Sequence, residues 1–147
     1  MHMVPAIAVL ATVLAACGAT ACSSPPPAQN EPGTLVVGTA RVTVDGTEAG
    51  TTDDVSCTTA GPLTTITTGD DQSGSTSIVS NEDTLTAETV SINDLAGFTG
   101  SYNAGLGGES TVTMTGRTYT ISGTAEGFRT DNPSFRADGS FTIMVAC

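Results

Sequence analysis

Along most of the chain, threonine and serine alternate with aliphatic and aromatic residues at a spacing of two, the period of a strand with one face buried. Thr111-Val112-Thr113-Met114-Thr115 puts Val112 and Met114 on one face, and Thr118-Tyr119-Thr120-Ile121-Ser122 does the same with Tyr119 and Ile121. Gly116-Arg117 between them predicts a two-residue hairpin turn. At the C-terminal end Phe141, Ile143, Val145 and Cys147 share one face, with Thr142 and Met144 opposite. Arg41-Val42-Thr43-Val44-Asp45-Gly46 predicts an opening strand entering a turn, and weaker strands are expected near 55–59, 63–68, 75–80, 86–92 and 98–103. Periods near 3.6 are scarce, leaving room for one short helical turn over Asn93–Ala96 and another over Ser75–Ser80. Short strands separated by turn residues predict an all-β domain, an antiparallel β-sandwich or open barrel.

The start of the chain breaks this pattern. Val4 to Leu14 is apolar apart from Pro5 and Thr12, the length of a signal-peptide core and too short for a spanning helix. Leu14-Ala15-Ala16-Cys17 closes it with an aliphatic residue, two small residues and a thiol, the pattern of lipoprotein cleavage and acylation. Ala19-Thr20-Ala21-Cys22 is a second candidate with a poorer residue at the aliphatic position, and the leader lacks the usual basic residues before its core. The division expected is a signal peptide over 1–16, an acylated cysteine and tether over 17–34, and one β-rich domain over 35–147. The tether is rich in Ser, Pro and Gly, stiffened by Pro25-Pro26-Pro27, and could reach about 50 Å when extended. Two or more acyl chains on Cys17, or on Cys22, would attach the protein to the membrane without help from protein contacts.

Composition limits the chemistry. The net charge of −11 arises wholly after Cys17 and excludes nucleic acid as a partner. There is no lysine, and the one histidine, His2, lies in the leader. The mature chain therefore cannot run a Ser-His-Asp or Cys-His mechanism, form a Schiff base, or build a His-ligated zinc site. Gly105-Leu106-Gly107-Gly108 lacks the third glycine of a dinucleotide fingerprint and reads as a turn. No cofactor is implied.

What survives is carboxylate chemistry. Asp53-Asp54, Asp70-Asp71 and Glu82-Asp83 all fall in loop-like sequence, where paired acids could ligate Ca²⁺ or act on a glycan. None fits an EF-hand spacing, and solvated loop tips are the simpler reading. Cysteine points elsewhere. Val55 and Cys57 share a strand face and Cys147 lies on the inward face of the last strand, so an exported domain with a thin core favours pairing Cys57 with Cys147. A bridge closing roughly 90 residues is valued at about 4 to 4.7 kcal/mol by the chain-entropy account.

Several segments resemble, in order and spacing, the mycobacterial LpqH/LppE-type lipoprotein antigens. The carriers are Val42-Thr43-Val44-Asp45-Gly46, Cys57-Thr58-Thr59-Ala60-Gly61, Gly100-Ser101-Tyr102-Asn103-Ala104-Gly105, Tyr119 to Gly127, Asn132-Pro133, and Ser140 to Cys147. The resemblance implies an acylated, surface-accessible protein of the cell envelope whose lipid is recognised by host innate receptors. It supports the pairing of Cys57 with Cys147 and lends no catalytic residue. The leader departs from it, since Ser-Ser follows Cys22 rather than Cys17.

The leading expectation is a non-enzymatic envelope lipoprotein acting as surface antigen and interaction module, with a host receptor or an envelope component as partner. A carrier of lipid or a small apolar ligand is the first alternative, and a calcium- or glycan-binding module built on the acidic loops is the second.

Overall fold

The computed structural model describes residues 31–147. The predicted leader, Cys17, Cys22 and most of the tether lie outside the described residues. Among the described residues every regular element is a strand, ten in all. They are β1 (Ala40–Val44), β2 (Thr47–Thr52), β3 (Val55–Ala60), β4 (Leu63–Gly69), β5 (Gly74–Ser80), β6 (Thr86–Leu95), β7 (Phe98–Asn103), β8 (Ser110–Thr115), β9 (Thr118–Arg129) and β10 (Asn132–Ala146).

All pairings are antiparallel, and the sheet runs β2-β1-β10-β9-β7-β6-β5-β4-β3 with β8 paired to β9 beside this path. The two ends of that order, β2 and β3, are consecutive in the chain and separated only by Asp53 and Asp54. A flat sheet of this order would hold them far apart, so the sheet must curl until its edges meet. Gly69 N–H donates to the Asp54 carbonyl at 2.9 Å, tying the β2–β3 link to the end of β4. The architecture is a nearly closed open barrel, the second of the two forms expected from the strand pattern.

Turn chemistry sets the hairpins. Asp45-Gly46 joins β1 to β2 with φ of 49° and 76°, the two left-handed residues of a type I′ turn. Ala96-Gly97 joins β6 to β7 in the same way, with φ of 49° and 71°. Thr115 pairs with Thr118 around Gly116-Arg117, the hairpin predicted from the sequence.

Both helical turns are corrected. Ser75–Ser80 is a strand hydrogen-bonded on both sides, to β4 and β6, and Asn93–Leu95 finishes β6 before the turn that begins at Ala96. Val112 and Met114 share a face of β8 as expected; Val112 is buried, while Met114, near the turn of a strand with one partner, stays 48% exposed.

The core is small and mostly aliphatic. Val42 and Val44 of β1, Ile121 of β9, and Phe141, Ile143 and Val145 of β10 face Ile66, Val79, Val90 and Ile92 of β4 to β6. The wall formed by β4 and β5 is lined by hydroxyls as much as by hydrocarbon, since Thr64, Thr68, Ser75 and Ser77 are all buried. Thr68 and Ser75 satisfy each other at 2.8 Å, whereas the Ser77 Oγ has no hydrogen-bond partner among the described residues. Phe98 is the largest fully buried side chain, and its ring occupies a slot left by Gly100 and Gly139.

Two substitutions should move stability in opposite directions. Ser77→Ala removes an unpaired buried hydroxyl and should raise the unfolding free energy by up to about 1 kcal/mol. Gly139→Ala places a Cβ at 2.9 Å from the Phe98 ring and should lower it by about 1 to 3 kcal/mol. Urea unfolding of the two variants measures both.

Candidate functional site

Three places could carry function: the cross-link between the walls, the acidic loops, and the outer face of the sheet. The cross-link comes first because it shapes the others. Cys57 sits opposite the buried Ile66 in the β3–β4 register and so shares its inward face. Cys147 continues the inward series of Phe141, Ile143 and Val145. The two are disulfide-bonded, with Cα atoms 6.0 Å apart and a sequence separation of 90 residues. The bond joins the edge strand β3 to the chain leaving β10, between strands that share no ladder. Beside it, Cys147 N–H donates to the Arg117 carbonyl at 3.0 Å. The entering chain docks at the same end, where Gly38 N–H donates to the Ala146 carbonyl at 2.8 Å and Leu35 N–H to Thr118 Oγ1 at 3.0 Å.

A second tie lies at the β1–β2 turn. Asp45 Oδ1 accepts from Ser140 N–H at 2.8 Å and from Ser140 Oγ at 3.1 Å, and the carboxylate also pairs with Arg129. The Arg129 guanidinium lies over the Phe98 ring, 5.2 Å from its centroid. One arginine therefore joins β9 to the β1–β2 turn and covers the deepest aromatic side chain of the core. The sequence showed only the turn; no spacing rule links Asp45 to Arg129 across the fold.

The acidic pairs divide. Asp53-Asp54 and Asp70-Asp71 lie together at the seam where β2 meets the β4–β5 turn, while Glu82-Asp83 lies on the β5–β6 connection at the far end of β5. At the seam, Asp54, Asp70, Thr52, Thr68 and Ser73 rim a cleft of about 190 Å³, with Val42 and Leu95 on its inner side. The Asp70 carboxylate serves its own loop, accepting from Ser73 N–H at 2.9 Å and Gln72 N–H at 2.8 Å. Those two donors hold its pKa below the usual aspartate value against a small opposing desolvation. Among the described residues, no three acid, thiol or imidazole side chains gather to hold a metal ion.

Residues 33–147, the whole barrel, match the family described as Mycobacterium 19 kDa lipoprotein antigen. The chain belongs to that family. It is 37% identical over 141 residues to a putative lipoprotein of Mycobacterium avium subsp. hominissuis strain TH135, covering 95% of this chain and 93% of the relative. A putative lipoprotein of Mycobacterium indicus pranii is 38% identical over 136 residues, covering 92% and 93%. Lipoprotein LpqH of Mycobacterium tuberculosis strain H37Rv is 32% identical over 108 residues, which is 73% of this chain and 68% of LpqH. The family match confirms the resemblance read from the strand segments.

Two predictions follow from the ties. Replacing Cys57 and Cys147 together by alanine should cost about 4 kcal/mol in a reversible denaturant titration. Because the folded pKa of Asp70 is depressed, its contribution is present above the unfolded aspartate value and disappears as pH falls through the lower folded one. Asp70→Asn should therefore flatten the acid limb of the stability profile between those two values and leave the change of stability with pH at neutral pH as it is, which thermal melts from pH 2 to 7 would show.

Proposed function

We propose that the protein is an acylated, non-enzymatic lipoprotein, exported and held at the outer face of the cell membrane by fatty acid on Cys17, with Cys22 as the alternative attachment. The β-barrel is displayed on its tether as a surface antigen and interaction module, and the lipidated N-terminus is what host innate receptors sense.

The observation that carries this reading is the match of the whole barrel to a lipoprotein antigen family in a chain that begins with Leu14-Ala15-Ala16-Cys17 after an apolar run. Three features support the non-enzymatic part. The region after the leader has neither histidine nor lysine, so proton transfer near neutral pH would fall to carboxylates. Two backbone N–H donors hold the Asp70 carboxyl below its usual pKa, away from the raised value a general acid needs. At the seam the Asp70 carboxylate accepts from its own loop, and among the described residues no three acid, thiol or imidazole side chains gather. The alternative of an apolar carrier finds little support, because Val90, Ile92, Phe98, Ile121 and Ile143 fill the space between the walls.

Intact mass spectrometry of protein extracted from native membranes tests the proposal. The expected mass is that of a chain beginning at Cys17 with acyl groups attached. An unacylated chain, or one still carrying residues 1–16, would overturn it, and acylation at Cys22 would move the anchor without changing the function.

A further inference from the structure

We propose that the groove between the end of β7 and the outer face of β9 is a binding site for a neutral glycan, which runs on from the groove along a row of hydroxyls crossing β7 to β3. The site does not depend on the proposed anchor.

The register builds the groove. Ala125 of β9 is buried, so Glu126 and Phe128 fall on opposite sides of it in an outward series: Glu126 opposes Ser101 of β7, and Phe128 opposes Arg136 of β10. Together with Asn103 these side chains line a groove of about 380 Å³. Clefts of about 300 to 1,000 Å³ are the common size for small organic ligands. Asp138 opposes Glu126 from β10 and puts a second exposed carboxylate on this face.

The lining selects the ligand. Two carboxylates beside one guanidinium, on a chain of net charge −11, refuse a phosphate, a uronate or an acidic peptide. Phe128 and Leu106 supply the apolar surface, too little for a lipid. Phe128 is 37% exposed and offers an aromatic face against which the C–H side of a pyranose ring can lie. The groups around it suit hydroxyls: Ser101 and Asn103 both donate and accept, Glu126 accepts and Arg136 donates. Arg41 pairs with Glu48 and Arg129 with Asp45, whereas Arg136 makes no ion pair among the described residues. A ring that carries several hydroxyls and no charge matches that set.

A row of hydroxyls leads away from the groove. Ser101 opposes Ser91, Ser91 opposes Thr76, Thr76 opposes Thr67, and Thr67 opposes Ser56. All five are exposed, one to a strand, and adjacent strands lie about 4.8 Å apart. That step is close to the length of one sugar unit in an extended chain. Thr67, Thr76 and Ser91 also line a depression of about 220 Å³ that reaches the Asp70-Asp71 loop. β3, β4, β5 and β7 carry no charged residue, although the chain has 15 acids. A strip without charge on so acidic a protein is covered by a neutral polymer without stripping water from an ion.

Saturation-transfer NMR on the full chain, extracted from native membranes in a detergent without a sugar headgroup, tests the site. The probes are oligosaccharides of glucose, mannose and galactose, with an oligogalacturonate as the anionic counterpart. At least one neutral ligand should bind with a Kd of about 1 mM or tighter, and the oligogalacturonate about tenfold more weakly or not at all. Phe128→Ala and Arg136→Ala should each weaken the neutral ligand by about tenfold or more, whereas Met114→Ala on β8, outside the groove lining, should leave it unchanged. The disulfide, confirmed by mass in each variant, shows that the barrel has folded. Two further arms use neutral polysaccharide released from the cell's own envelope and from host cells; they separate the two sources, and binding in either upholds the site. No neutral ligand bound in any arm, the oligogalacturonate bound as tightly, either groove variant binding like the unaltered protein, or an equal loss in Met114→Ala would overturn the proposal.

Discussion

The structure depends on one constraint: the two edge strands of a ten-stranded sheet are neighbours in the chain, with only Asp53 and Asp54 between them. The sheet has to curl until β2 and β3 approach, and every inward side chain then faces another wall of the same sheet. The approach is not completed by a continuous ladder. At the seam it is held by the two-residue β2–β3 link itself and, across the interior, by the bond between Cys57 and Cys147, while the Gly69 to Asp54 hydrogen bond extends the β3–β4 ladder by one rung. Closure therefore rests on covalent chemistry where hydrogen bonding stops.

The composition of the walls explains why a covalent tie matters here. The wall around β1, β9 and β10 presents Val, Ile and Phe inward, while β4 and β5 present Thr64, Thr68, Ser75 and Ser77 among Ile66 and Val79. Burying hydroxyls gains little unless each finds a partner, and Ser77 finds none among the described residues. β3, the strand carrying Cys57, is largely exposed along its length. The β3–β5 wall is thus the weakly packed side of the barrel, and the disulfide anchors it to the better packed one.

Much of this was legible in the alternation of residues. The strands near 55–59, 63–68, 86–92, 98–103, 111–115 and 118–122 all lie within observed strands, as does the C-terminal run to Ala146. The disulfide was legible too, because Cys57 sits in, and Cys147 directly follows, a strand whose inward face was readable. β2 escaped because Thr47 to Thr52 is an edge strand exposed along most of its length, so no apolar period marks it. Ser75–Ser80 admitted a helical turn because its inward residues include serines, and period analysis counts serine as polar wherever it points. The Asp45–Arg129–Phe98 tie and the three-residue bulge of β10 depend on strand order and register, neither of which local sequence encodes.

The most direct measurement is hydrogen exchange on the oxidised and the reduced protein under native conditions, resolved by segment. If the disulfide is what holds the weaker wall closed, reduction will release amides of β3, β4 and β5 while the β9–β10 ladder keeps its protection. Unchanged exchange in β3 to β5, or an equal loss of protection in every strand, would contradict that account of how the barrel is held together.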